Sequence, residues 1–241
     1  RYPQEILTVA NAILGFGQAS LAKYLMIAAA EDEPTPDTHD IGKFVQHVLE
    51  RVDWSRDLHF QTRTTMDTLD YSGTGLNQGS KVVIAAVGKA KRALGAEKPS
   101  IDLPAFVKGF ECAFNGVLSI QLDPFKVYES ETAQIEVLTQ SLMNHKEPLE
   151  TFPLILVCDD AKFVAKNFSN LIWSAFTRAN PSHDIYGVDS FTEYKHGRCR
   201  SSLIIDCRMK PHNAPYLELD PEIEKTVDAM GKKGGALHGI I

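Results

Sequence analysis

The sequence predicts a layered α/β fold, helices on sheets, built from two tandem, similar strand–helix units around mixed sheets. Three observations carry this. Short continuous apolar runs ("YLMIAAA", "KVVIAAV", "PLILVC", "SSLIIDC") alternate with segments patterned at the helical period. Two stretches, Tyr24–Asp57 and Pro153–Asp184, follow the same order of strand, acidic turn, helix and polar turn. Their landmarks keep one register: Asp32 with Asp159, Arg51 with Arg178 and Asp57 with Asp184 are each 127 residues apart.

Each element has a local reason. Ile6, Val9, Ile13 and Leu14 share one face of an opening helix, which stops at Gly15 and Gly17. "LAKYLMIAAA" is short and, apart from Lys23, a continuous apolar run, as a buried strand is. Ile41, Phe44, Val45, Val48, Leu49 and Val52 repeat at i, i+3, i+4, i+7, i+8 and i+11, with Asp40 placed to cap the helix. A strand near Leu58–Thr62 follows, then a polar loop to Ser80 and the strand "KVVIAAV". "GAEKPSIDLP", Gly95–Pro104, is the candidate linker. Beyond it come the strand "FNGVLSIQL" and a helix over Glu131–Asn144, with Ile135, Leu138 and Leu142 inward and Ser130 as its cap. The strand "PLILVC", a helix carrying Phe168, Leu171, Ile172, Ala175 and Phe176, and the strand "SSLIIDC" complete the second unit. Asp220-Pro221-Glu222 starts a last helix, cap first and proline at the first helical position. The predicted organisation is a linker helix and leading loop (1–23), a first unit (24–98), a second unit (99–230) and a mobile tail (231–241).

Composition narrows the function classes. The chain has 241 residues, 44% hydrophobic and 23% charged, with a net charge of −6. An acidic balance argues against a nucleic-acid partner, which needs a basic face. No apolar run is long enough to span a bilayer, and Arg1 is followed by no apolar leader. Cys112, Cys158, Cys199 and Cys207 form no C-x-x-C pair and read as reduced thiols, Cys158 and Cys207 as small core residues. The eight histidines show no metal-ligand spacing, so no metal site is expected, and His39 with His47 reads as coincidence. "GFGQASLAK" lacks the Gly-Lys-Ser/Thr ending of a phosphate loop and follows a helix. Trp54 and Trp173 read as packing residues. Asp32 and Asp159–Asp160 follow strands, where ligands of α/β folds gather, but helix capping and loop solvation are the favoured reading of these carboxylates.

"CDD", "IWSAFTR" and "NPSHD" in the second unit, and "YSGTGLNQGSKVVIAA" in the first, together resemble the C-terminal domain of the UbiD family of decarboxylases, the 3-polyprenyl-4-hydroxybenzoate carboxy-lyases and their relatives. "ILTVANAILGFGQASLAKYLMIA" resembles the helix and strand that lead into that domain. Doubling of the unit looks like the long branch of the family, which includes menaquinone-pathway decarboxylases. The resemblance implies a prenylated flavin mononucleotide cofactor with Mn²⁺ and K⁺, reversible non-oxidative decarboxylation of an aromatic acid in ubiquinone or menaquinone biosynthesis, and a homo-oligomer. The reduced thiols point to a cytoplasmic protein, expected to be peripheral at the membrane when its substrate is prenylated. The family's catalytic glutamate–arginine–glutamate set and metal ligands belong to a preceding flavin-binding domain, so no catalytic or metal residue is expected in this chain. One contact with the cofactor is expected: Gly79-Ser80-Lys81, where Lys81 would meet a phosphate or flavin oxygen and Gly73, Gly75 and Gly79 would let the backbone approach. Read without the resemblance, Lys81 is a solvent-facing lysine on a flexible loop. Two other classes remain in view, a non-catalytic assembly module and a nucleotide-binding α/β protein.

Overall fold

The computed structural model describes residues 5–215 and 217–240. The chain opens with α1 (Glu5–Leu14), which gives way at the predicted glycines to a 3-10 turn, Gly17–Leu21. The first unit is β1 (Tyr24–Ile27), α2 (Ile41–Arg51), β2 (Leu58–Thr65) and β3 (Gln78–Ala85). Asp40 caps α2 as expected, its carboxylate accepting from the Lys43 N–H at 3.0 Å. Ile41, counted on the inward face, is exposed at the first position of the helix. β3 is central, parallel to β1 and antiparallel to β2, giving the order β1-β3-β2.

An irregular segment containing the predicted linker leads to β4 (Gly109–Phe114) and β5 (Val117–Gln121), a hairpin, and then to α3 (Tyr128–Met143) and the single turn α4 (Lys146–Leu149). The helix α3 begins three residues before the predicted start, with Val127 at the cap and no side chain bonded there. The expected cap, Ser130, lies inside the helix and donates to the Val127 carbonyl at 3.2 Å. Ile135, Leu138 and Leu142 are buried as predicted.

The second unit runs β6 (Leu154–Cys158), α5 (Ala161–Ala165), α6 (Phe168–Arg178), α7 (Pro181–Asp184), β7 (Ile185–Gly187), the hairpin β8 (Ser190–Glu193) and β9 (His196–Cys199), and β10 (Leu203–Asp206). Its five-stranded sheet is ordered β4-β5-β6-β10-β7. The chain ends in α8 (Pro221–Gly231), capped by Asp220 as predicted; none of its residues is buried. Turn hydrogen bonds, including Leu237 N–H to the Met230 carbonyl at 3.0 Å, fold the following tail back on the helix end.

The repeat is physical. β10 is parallel to β6 and antiparallel to β7, as β3 is to β1 and β2. The helices α2 and α6 start and stop at the same two points of the 127-residue register. Asp57 accepts the Asp53 N–H at 2.9 Å, and Asp184 accepts the Asn180 N–H at 2.6 Å, the same four-residue turn in each unit.

Alternation along the central strands assigns the layers. Val83 and Ala85 pack outward on Ala10 and Leu14 of α1. Ile155, Val157 and Ile204 pack outward on Ile135, Leu138 and Leu142 of α3. Val82 and Ile84, with Leu154, Leu156, Leu203 and Ile205, face inward into one cluster shared with Val45, Val48 and Leu49 of α2 and Leu171 and Ala175 of α6. The two units thus hold one core in common. Trp54 crosses between them, fully inside, and donates its indole N–H to the Pro153 carbonyl at 2.8 Å.

Candidate functional site

The second sheet ends, at the carboxyl side of β6 and β10, in a run of buried charge. Arg208 reaches back to Asp206 with Nε at 3.0 Å from Oδ1 and Nη2 at 2.6 Å from Oδ2. Its Nη1 meets Glu131 of α3 at 2.7 Å and the Asp123 carbonyl at 2.9 Å. Desolvation works against the charge on Arg208, but the two carboxylates outweigh it and hold the guanidinium protonated. Lys210 Nζ donates to the Asp206 carbonyl at 2.5 Å and stands 3.3 Å from Asp184. Burial raises the Asp184 carboxyl despite that ammonium. Asp159 pairs with Arg178 at 3.0 Å and accepts the Met209 N–H at 2.8 Å. The neighbouring Asp160 caps α5 through the Phe163 N–H at 3.0 Å. The two post-strand acids of this unit therefore tie down backbone and partner cations.

Asp32 does the same at the end of β1. It accepts the Gly88 N–H at 2.8 Å and pairs with His47 at 3.1 Å. Burial opposes its ionisation, and the Gly88 N–H and His47 together overcome that and lower its pKa. The His39–His47 spacing is fortuitous as expected: His47 is buried on Asp32, while the His39 side chain is almost fully exposed.

Above the buried charge lies a cleft of about 590 Å³, a size suited to a small molecule. Thr68, Ser72, Tyr128, Asn180, His183 and His212 contribute polar groups to its lining, and Gly73 and Gly75 form part of its rim. Lys23 anchors the rim loop from beneath, with Nζ at 2.6 Å from Ser72 Oγ and 2.8 Å from Asp70. The Tyr128 and His183 rings are 5.7 Å apart, and desolvation next to Asp184 raises the Tyr128 phenol. Sequence reading passed over Lys23, Tyr128, Arg208 and Lys210. Only their position just outside apolar runs sets them apart, and surface residues share it.

Gly79-Ser80-Lys81 lies within β3 and is not an exposed loop. Lys81 is 1% exposed, and its ammonium donates to the carbonyls of Ser20 and, at 3.1 Å, Ala22. Burial lowers its pKa. Ser80 is fully buried; its hydroxyl donates to Asn180 Oδ1 and accepts the Ser182 N–H at 2.8 Å. A Cβ on Gly79 would run into the Met66 sulfur. The expectation of an exposed lysine fails because the strand begins at Gln78, three residues early, and draws Lys81 into the sheet. Tested against an anionic flavin, the segment does not fit: both polar side chains are spent on protein groups and the glycine is filled by Met66.

All four cysteines are free thiols, with Cys158, Cys199 and Cys207 buried. Among the described residues no helix is long and apolar enough to cross a membrane, and no group of three or more His, Cys, Asp or Glu could hold a metal.

A duplicated α/β domain with a cleft at the carboxyl edge of its second sheet is the class that fold and site define. Residues 1–86 match the family model of the 3-octaprenyl-4-hydroxybenzoate carboxy-lyase C-terminal domain. A protein of Chlamydia pneumoniae, named as one of the subunits of a 4-hydroxybenzoate decarboxylase, is 32% identical over 227 residues, which is 94% of this chain and 36% of that protein. An uncharacterized protein of Chlamydia trachomatis serovar D is 32% identical over 95% of this chain and 37% of its own length. Over residues 1–86 the chain is thus similar to the C-terminal domains of these carboxy-lyases, and it spans little more than a third of the curated relatives it matches. Among solved structures, the vanillic acid decarboxylase of Sedimentibacter hydroxybenzoicus overlaps loosely. Its open form gives a TM-score of 0.31 at 14% identity, over 71% of this chain and 45% of that one. Its closed form gives 0.34 at 14% identity, over 72% and 44%.

Proposed function

We propose that this chain is the C-terminal portion of a prenylated-FMN-dependent, non-oxidative decarboxylase of aromatic acids that serves ubiquinone or menaquinone biosynthesis. The observation that carries the reading is the alignment of nearly the whole chain with a protein named as part of a 4-hydroxybenzoate decarboxylase. The acid–base residues, the flavin and its Mn²⁺ and K⁺ would belong to a preceding flavin-binding domain, and the isolated chain is inert. Its tasks are to wall one side of the site, with the cleft of Tyr128, His183 and His212 facing that domain, and to mediate oligomerisation. The apolar stripe Ile223, Val227 and Met230, wholly outside the core on α8, supports a role in assembly. The test is carbon dioxide release from a panel of aromatic acids by the full-length protein matured with prenylated flavin. Release from 4-hydroxybenzoate-type acids by the full-length protein, and none by residues 1–241 alone, is the expected result. Turnover by residues 1–241 above a heat-killed control would place the chemistry in this chain and refute the division of labour.

A further inference from the structure

We infer that Gly79-Ser80-Lys81 is the mechanical joint between the two units and not a contact with a cofactor. The inference rests on the proposed function only for the identity of that cofactor, a flavin phosphate.

Each residue has a structural task. Gly79 leaves room for Met66, which is fully buried. Ser80 carries the link between units: it holds Asn180 and the Ser182 N–H, in the turn that enters β7. The first unit answers from its own turn, where Trp54 donates to Pro153 and the Ser55 carbonyl accepts from Arg198. Each unit thus inserts its helix-to-strand turn against the strand starts of the other.

Lys81 is explained by its counterpart in the second unit. Tyr24 pairs with Val82 in one parallel ladder and Leu154 with Leu203 in the other. Continued toward the strand starts, this register makes Lys81 equivalent to Ser202, and Ala22 equivalent to Phe152. Lys81 donates to the Ala22 carbonyl at 3.1 Å, and Ser202 Oγ donates to the Phe152 carbonyl at 2.7 Å. Two chemically unlike side chains satisfy the same carbonyl, half-buried at Ala22 and buried at Phe152, two residues before the first strand of each unit. In the first unit the incoming chain is a 3-10 turn, and only a side chain as long as lysine also reaches Ser20. Unpaired buried carbonyls are costly, so this position is set by chain entry into the sheet in both units.

Amine labelling of the full-length protein by reductive methylation, read residue by residue by mass spectrometry, tests the inference with and without riboflavin 5′-phosphate. Lys81 should react at least about tenfold more slowly than the exposed Lys43 and Lys225 in both states, since labelling needs local opening. Fast labelling of Lys81 in the flavin-free protein overturns the inference, whether or not flavin then protects it. Lys81→Met should lower the unfolding temperature while leaving flavin per folded molecule unchanged. Loss of flavin at an unchanged unfolding temperature overturns the inference. If that variant fails to fold, wild-type labelling still decides. Absence of decarboxylation in the full-length protein would defeat the proposed function and leave the labelling result standing.

Discussion

Replacing Arg208 with methionine keeps most of the side chain's length and removes every one of its hydrogen bonds. Arg208 is fully buried, and the two carboxylates it serves are 1% (Asp206) and 7% (Glu131) exposed. Losing the guanidinium leaves both carboxylates buried without their charged partner, and Asp206 keeps the residue-208 backbone N–H at 3.1 Å. Breaking a buried ion pair in this way costs about 3–5 kcal/mol. For a protein of this size about 1 kcal/mol moves the unfolding midpoint by roughly 2–4 °C, so the variant should melt about 6–20 °C below the parent. Arg200, whose side chain is 57% exposed in its pair with Asp189, provides the control. Arg200→Ala should cost under about 1 kcal/mol. Urea unfolding followed by tryptophan fluorescence, with thermal melts by circular dichroism, measures both. If Arg208→Met and Arg200→Ala lose similar, small amounts of stability, the buried network does not hold α3 to the sheet edge and the reasoning fails.

Gly79→Ala should cost about 1–3 kcal/mol by crowding Met66, and much less in a Met66→Ala background; equal costs in both would show that the two residues do not collide. Burial opposes ionisation of Asp53, but Lys91 and Ser55 overcome it and hold the carboxyl at about 2. A depressed carboxyl contributes stability above its unfolded value of about 3.9, and the contribution is lost as pH falls toward 2. Asp53→Asn should therefore flatten the decline in urea midpoint between about pH 4 and 2, and parallel pH profiles would refute the pairing. Burial raises all four thiols, Cys199 and Cys207 to about 12, and Cys112 is the least enclosed. A thiol reagent near neutral pH should label Cys112 first in the native protein; prior labelling of Cys207 would contradict its burial.

What could be read from the sequence was whatever repeats at a fixed period or sits at a cap. The α2 and α6 stripes and the caps Asp40 and Asp220 stood out because helix faces and end groups leave local marks. The strand β4 was missed although Asn115-Gly116, a strong hairpin signal, precedes β5 directly. The hairpin β8–β9 left no such mark, because its turn places Tyr194 and Lys195 at positive φ, where glycine or asparagine usually stands. Lys81 was misplaced for a different reason. A central strand is buried on both faces, so the chain gives no alternation from which to read where it begins. The buried charges are legible only in three dimensions, since Arg208 and Glu131 lie 77 residues apart.

One core shared by two units also changes what the linker is for. A cut near Lys98 would not release two independent domains, because Val82 and Ile84 would lose Leu154 and Leu203 from the same cluster. The severed pieces would behave as the two chains of an obligate heterodimer, each soluble and ordered only in the other's presence. In the intact protein the segment around Lys98 serves as a tether, keeping the effective concentration of the second half so high that assembly is a folding step and not an encounter.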